Sequence, residues 1–299
     1  MKTLVVVNPA ASAGRAIKDY KNIIEELLHQ YLGDFSVKFT SGVGDATRFA
    51  VKGERYDRVI CVGGDGTLNE IINGLHNANL DIPIGLVSVG TGNDFKKTLG
   101  LVGSYEYMIQ RIASGKPKKF DLLEATFKGL DSKMITRLAV NIIGVGFDAA
   151  VSQRINDARF KIRGKMSYVV SFLPEFITTG TYPVDFSTNG VFNQKSYYLV
   201  AFGNGKYFGG GMKVCPDAEP DDGLIDVVGI GQMSKLKLLY HFPKIYNGKH
   251  ISVNEVDYVR GKEFDVKGKK ETPIEMDGEV VGTLPLKIKI KEKAVKILL

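Results

Sequence analysis

The chain has 299 residues, 44% hydrophobic and 24% charged, which supplies a sizeable core for one large domain or two ordinary ones. Its formal net charge of +7 favours an anionic partner, but no RNP-type aromatic pattern, zinc finger or basic heptad region accompanies it, so nucleic acid is not expected. Cys61 and Cys215 lack metal or redox spacing and the four histidines are scattered, which argues against a zinc site or a histidine-based triad. No apolar run approaches the ~20 residues needed to cross a bilayer, and the apolar part of MKTLVVVNPA is too short for a signal peptide. A cytoplasmic protein with reduced, buried thiols is expected.

In chain order, residues 4–8 (LVVVN) predict a strand ended by Asn8-Pro9. After the loop Ala10 to Gly14, residues Ile17, Tyr20, Ile23, Ile24, Leu27, Leu28 and Tyr31 recur at spacings of three and four, one apolar face of a helix. Residues 35–40 predict a second strand and 45–53 a second helix. The stretch VICVGGDGTLNE, residues 59–70, then runs from a buried strand through a glycine turn into a helix marked by Leu68, Ile71, Ile72 and Leu75. Such a turn gathers backbone N–H groups and a positive dipole end at one point, where phosphate binds readily. A short strand follows at 84–88. Strands alternating with helices predict a doubly wound parallel sheet, whose ligand crevice lies beyond the carboxyl ends of its strands. Asn8-Pro9, Thr40-Ser41, Gly63 to Thr67 and Gly90 to Asp94 all fall at those ends.

After about residue 120 the pattern changes. Strands are expected at 121–127 and 135–145, helices at 147–156 and 166–178, and strands at 182–188, 196–202, 224–230, 254–259, 263–267 and 272–276, with a helix near 234–246. Strands not separated by helices predict an antiparallel β-sandwich. The expected division is an α/β nucleotide domain at 1–122 and a β-rich substrate domain at 123–286. The alternation of LKIKIKEKAVKILL, residues 286–299, reads as an edge strand pair.

No G-x-x-x-x-G-K-[ST] occurs, and no G-x-G-x-x-G follows the first strand. What the turns provide is hydroxyls, backbone donors and two carboxylates, Asp65 and Asp94, the equipment of phosphoryl transfer. The Pro-Asp-Asp-Gly-Leu turn at 220–224 is dense in oxygen and suits a hard cation, or is a solvated acidic turn.

GGDGTLNE, GTGNDF, the opening NPAASAGR, GGGMKVCPDAEPDDGLIDV and the late DGE together resemble the diacylglycerol kinase catalytic family, most of all its soluble bacterial lipid kinases. The resemblance implies an NAD kinase-like fold, with the C-terminal strand at 287–299 returning to the first domain, and ATP at the glycine turn. The nucleotide would meet Gly64, Asp65, Gly66, Thr67, Leu68, Asn69 and Glu70, with Thr40 and Thr91 in contact and Asn8, Ser12 and Gly14 nearby. It implies a catalytic Mg²⁺ organised by Asp65, and Glu279 as proton acceptor with Asp277 beside it and Asp94 contributing. It also implies a structural Mg²⁺ at the Asp222 side chain and the carbonyls of Glu219 and Leu224. The first loop is longer than the family's N-P-x-S-G form. A carboxylate base must gain basicity from burial or a like-charged neighbour, and Asp277 is placed to supply that to Glu279.

Arg159, Lys161, Arg163 and Lys165 alternate with Phe160, Ile162, Gly164 and Met166, which reads either as a peripheral membrane surface for anionic lipid or as a solvated face. Tyr168 to Phe176 reads as core or as an acyl cleft. The expected function is an ATP- and Mg²⁺-dependent kinase of diacylglycerol or a related lipid. An NAD or other small-molecule kinase on the same fold, and a catalytically silent lipid- or nucleotide-binding regulator, are the alternatives. Homodimerisation stays open.

Overall fold

The computed structural model describes residues 1–89, 94–146, 180–187 and 195–299. The helices expected at 147–156 and 166–178, the stretch Tyr168 to Phe176, the Arg159–Lys165 segment and Thr91 lie outside the described residues. The chain forms two compact units, Met1–Phe120 with Lys293–Leu299, and Asp121–Glu292.

In the first unit, β1 (Thr3–Val7), β2 (Ser36–Phe39), β3 (Arg58–Gly63) and β4 (Ile84–Ser88) form a parallel sheet in the order β4-β3-β1-β2. The register places Val5 beside both Val37 and Ile60, and Cys61 beside Leu86. β1, β3 and β4 are buried at every position. Parallel strands covered on both faces need such unbroken apolar runs. Helix α1 (Ala11–Asp19) continues through a π-helical turn (Tyr20–Ile24) into α2 (Glu25–Leu32), and Ala16, Tyr20, Ile24 and Leu28 from this stretch pack with Val5, Val7, Ile60 and Val62.

Helices α3 (Asp45–Val51) and α4 (Asp65–Asn77) pack closely, since a Cβ on Gly74 would lie 2.6 Å from the Thr47 carbonyl oxygen and 2.7 Å from Ala50 Cβ. After the short α5 (Phe95–Thr98), helix α6 (Tyr105–Ser114) buries Met108, Ile109 and Ile112 and is capped by Ser104, whose hydroxyl accepts from the Tyr107 N–H. The sequence reading passed over α6, although Ser104 is a ready N-cap.

The second unit is antiparallel: β5 (Pro117–Gly129), β6 (Met134–Ala139), β7 (Ile142–Gly146), β8 (Tyr182–Ser187), β9 (Lys195–Gly203), β10 (Ile225–Gly231), β11 (Val256–Gly261), β12 (Glu263–Gly268), β13 (Pro273–Met276) and β14 (Glu279–Leu298). One path runs β11-β10-β9-β7-β13-β14, while β12 bridges β14 and β8, and β5 pairs with β6 and β14. Phe127, Phe202 and Phe264 are buried at its centre, Phe202 and Phe264 edge to face at 5.7 Å. Helix α7 (Lys235–His241) and the 3₁₀ turns after it, 242–252, cover a second apolar cluster with Tyr198, Val228 and Met212.

Two expectations are corrected. The strand expected over 135–145 is interrupted at Val140-Asn141, because the N–H groups of Val140, Asn141 and Ile142 turn to the Asp277 carboxylate. Residues 286–299 are not an edge strand pair. They belong to the 20-residue β14, which pairs antiparallel with β13 and β12 and, through Ile297, parallel with β4. Its basic face is answered by Glu124, whose carboxylate lies 2.7 Å from Lys289 Nζ and 3.3 Å from Lys291 Nζ.

Candidate active site

The turn between β3 and α4 is built from close approach. Gly63 has no room for a side chain, because a Cβ there would meet Thr67 Oγ1 at 2.8 Å. Gly64 is extended and Asp65 opens the helix, so the first-turn N–H groups of α4 face outward from the sheet end. Asn8 locks this turn to β1: its Nδ2 donates to Thr67 Oγ1 at 2.9 Å, and its Oδ1 accepts from the Ala10 N–H at 3.1 Å. Ser12, Ala13 and Gly14 then follow with φ of 56°, 57° and 81°. Left-handed backbone costs a non-glycine residue roughly 1–2 kcal/mol, so this loop holds strain of the kind that clusters at ligand sites. The Thr40 N–H donates to the Val7 carbonyl at 2.9 Å, which keeps Thr40 at the same sheet end.

Asp65 Oδ2 accepts from the N–H groups of Asp94 (2.9 Å) and Phe95 (3.4 Å), so the two carboxylates of the sequence reading are brought together. Asp94 is nearly buried and pairs with Lys97 Nζ at 2.5 Å. Burial first, then the neighbouring Lys97, hold the Lys96 ammonium below the usual lysine range, while Asp65 and Asp94 pull the other way. Lys96 and Lys97 thus stand beside the carboxylates as cations that the sequence reading missed. Their signal was present, two lysines directly after GTGNDF.

Not every residue of the GGDGTLNE stretch offers its side chain. Leu68 is fully buried in the core, and its N–H donates to the Gly64 carbonyl at 3.1 Å, so it closes the first turn of α4. The Glu70 carboxylate accepts from the Ala46 N–H at 3.0 Å, and the Glu70 carbonyl accepts from Thr47 Oγ1 at 3.0 Å, so Glu70 seats α3 against α4. Asn69 is buried, and its side-chain and backbone oxygens accept from Asn73 Nδ2.

In the second unit the β13–β14 turn carries Asp277 at φ 50° and Gly278 at φ 98°. The Asp277 carboxylate accepts from the N–H groups of Val140 (2.8 Å), Asn141 (3.0 Å) and Ile142 (3.1 Å), and the Glu275 carboxylate accepts from the Gly278 N–H. Asp277 is therefore a positioning residue that fixes the turn. Glu279, next but one, has a partly exposed side chain with Oε2 3.5 Å from Arg137 Nη2. The like-charged neighbour expected to raise its basicity is engaged by three amides, and the close partner of Glu279 is a cation.

Among the described residues no group of three or more His, Cys, Asp or Glu gathers as a metal site. Mg²⁺ is typically held by one or two carboxylates together with phosphate oxygens and water, so the Asp65 and Asp94 pair fits it chemically. The second expected cation site lies in the other unit. Asp222 Oδ1 accepts from the Leu224 N–H at 2.9 Å and Oδ2 is bound by Arg260, which also reaches buried Asp226 at 3.1 Å. The Glu219 side chain is paired with Lys206 at 2.6 Å, which leaves the expected role of its carbonyl untouched. As arranged, Asp222 is paired with an arginine, so a metal ion held by the Asp222 side chain and the Glu219 and Leu224 carbonyls would share or displace that guanidinium.

The second unit also carries a partly open apolar cavity lined by Ile230, Met233, Leu238, Phe242, Ile245 and Val256 among others. Its polar groups are His241 and His250. His250 is 4% exposed, its Nε2 bonds the Val214 carbonyl at 2.9 Å, and its Nδ1 is buried without a hydrogen-bond partner. Burial holds its pKa below the usual histidine value.

The profile of the diacylglycerol kinase catalytic domain matches residues 2–125, and that of the YegS C-terminal NAD kinase beta sandwich-like domain matches 141–299. The chain belongs to the diacylglycerol kinase catalytic-domain family. A diacylglycerol kinase of Mycobacterium tuberculosis is 29% identical over 99% of this chain and 94% of its own. A crystal structure of a diacylglycerol kinase from Bacillus anthracis str. Sterne superposes with a TM-score of 0.73 at 22% identity, covering 99% of this chain and 96% of that one. The yeast NADH kinase structure, at TM-score 0.53 and 14% identity, covers 99% of this chain and 82% of that one. These structural likenesses establish the fold, an NAD kinase-like α/β unit followed by a β-sandwich. Membership makes the chain a lipid kinase by family. The apolar cavity of the second unit is a feature that the sequence reading did not locate. Its lining comes from 230–256, where helix and strand residues alternate too irregularly for one period to mark them.

Proposed function

We propose that the protein is an ATP- and Mg²⁺-dependent kinase that phosphorylates the free hydroxyl of diacylglycerol, giving phosphatidic acid and ADP. The observation that carries the lipid side is the apolar cavity under α7, whose lining suits a hydrocarbon chain and offers little to a dinucleotide, which needs many polar partners. On the nucleotide side, the α4 N-terminus and the turn Gly64 to Thr67 donate N–H groups to phosphate oxygens, with Asn8 and the Ser12–Gly14 loop shaping the neighbouring wall. Asp65, held by the Asp94 and Phe95 amides, and Asp94 are the carboxylates that would hold Mg²⁺. The ion, when bound, neutralises charge on the transferring phosphoryl group. Lys96 and Lys97 add positive charge beside it. Glu279 takes the proton of the acceptor hydroxyl, and Asp277 keeps the Glu279 backbone in place.

Phosphate transfer from labelled ATP tests this reading, with diacylglycerol in mixed micelles and NAD offered in parallel. Label in phosphatidic acid supports it. Label in NADP instead moves the protein to the nucleotide-kinase alternative that the shared fold admits. With no label in either product, a wider lipid panel decides whether another lipid is the acceptor.

A further inference from the structure

Helix α7 and the turn after it are apolar on two faces. The inner face, with Leu238, Phe242 and Ile245, lines the cavity. On the outer face Leu236 is 81% exposed and Tyr240, one turn on, is 75% exposed, with Tyr246 at 40%. A helix of a water-soluble domain ordinarily turns charge outward, so a second apolar face left in solvent calls for an occupant. The surrounding charge indicates which. From Gln232 to Asn254 the sequence carries four lysines, Lys235, Lys237, Lys244 and Lys249, and no Asp or Glu. Glu255, just beyond, pairs with Lys237 at 2.6 Å, which leaves 232–255 with a net charge of +3 when histidine is neutral.

We propose that the outer face of α7 and its following turn docks onto an anionic bilayer. Leu236 would enter the acyl boundary, Tyr240 and Tyr246 would sit at headgroup depth, and the lysines would meet anionic headgroups. Each lysine close to such a surface strengthens binding by roughly fivefold. Docking would also set the cavity against the membrane, because the same helix forms both its wall and the docking face. This deepens the lipid-kinase reading and rests on it for its purpose, but the surface itself is testable without any turnover.

The full-length protein is sedimented with phosphatidylcholine vesicles and with vesicles of mixed phosphatidylcholine and phosphatidylglycerol, at low and high salt. The expected result is binding to the mixed vesicles that falls with salt, and little binding to phosphatidylcholine alone. The double variant Leu236→Asp/Tyr240→Asp should bind at least about tenfold more weakly, since a buried leucine alone is worth that much. Lys244→Glu/Lys249→Glu should weaken binding to the mixed vesicles selectively. Both leucine and tyrosine side chains are exposed, so the double variant should melt like the parent and phosphorylate a dissolved short-chain diacylglycerol equally well. Undiminished vesicle binding by Leu236→Asp/Tyr240→Asp overturns the proposal, as does a parent protein that binds neither vesicle. So does a change from dimer to monomer in that variant with vesicle binding intact, which would make the face a contact between copies. Vesicle binding lost in the variant while no lipid is phosphorylated by the parent would uphold the surface and remove the kinase reading instead.

Discussion

The glycine turn of the first unit and the cavity of the second solve opposite solvation problems. The turn gathers charge: amides on Asp65, Lys97 on Asp94, Asn8 on Thr67. Polar groups there are held by other polar groups, which preorganises donors for an anion without exposing them to rearrangement. The cavity excludes charge. Burial pushes the pKa of both its histidines below the usual value, and Glu255 in its neighbourhood is tied to Lys237. Transfer of a highly charged phosphoryl group to a greasy acceptor needs both environments, and the chain keeps them on separately built scaffolds.

The comparison breaks most sharply at Asp65. Asp65→Asn keeps the shape but removes the charge, and should lower phosphate transfer on the order of 10³-fold or more with an unchanged melting temperature. Normal turnover by that variant would end its assignment as a Mg²⁺ carboxylate. The next largest effect is at Asp277, where the carboxylate satisfies three amides. Asp277→Ala should cost about 3 kcal/mol or more in urea unfolding, because hydrogen bonds to a charged group contribute roughly 1.5–3 kcal/mol and the amides are left unpaired. A loss of activity without a loss of stability would show that Asp277 touches the reaction directly.

The cavity gives smaller, more selective effects. Ile245→Phe places bulk where the lipid chain is proposed to lie, and should reduce turnover on long-chain diacylglycerol by roughly tenfold more than on a short-chain analogue. Equal losses on both would separate the cavity from acyl binding. The smallest effect is a pH dependence. The His250 pKa is lowered in the folded state, so its contribution to stability is complete above the unfolded value near 6.5 and is lost as pH falls through that value toward the folded one. Protonation at Nδ1 would leave a charged N–H facing the apolar lining. Thermal melts from neutral to mildly acid pH should show stability falling by no more than about 1.4 kcal/mol per pH unit from this residue, and His250→Gln should flatten that slope.

The fold class was legible because it is written in local periods. Short unbroken apolar runs such as TLVVV and IGLVS, rich in β-formers and bounded by turn residues, suit parallel strands covered on both faces, and the helix of α4 is marked by Leu68, Ile71, Ile72 and Leu75 within a single turn-and-helix segment. The interruption at Val140-Asn141 was not legible, since its cause sits 136 residues away in Asp277. Nor was the partner of Asp222, because Arg260 comes from another strand.

By itself, then, the amino-acid sequence determined the parallel-sheet scaffold, the two glycine turns with one carboxylate each and the family to which they belong, each a property of contiguous residues. Tertiary structure alone decided that Glu70 seats a helix, that Asp277 positions a turn and that α7 is apolar on both sides. Hydrogen-bond partners and cavities are made by residues brought together from distant parts of the chain, and no local period records which distant group a side chain will meet.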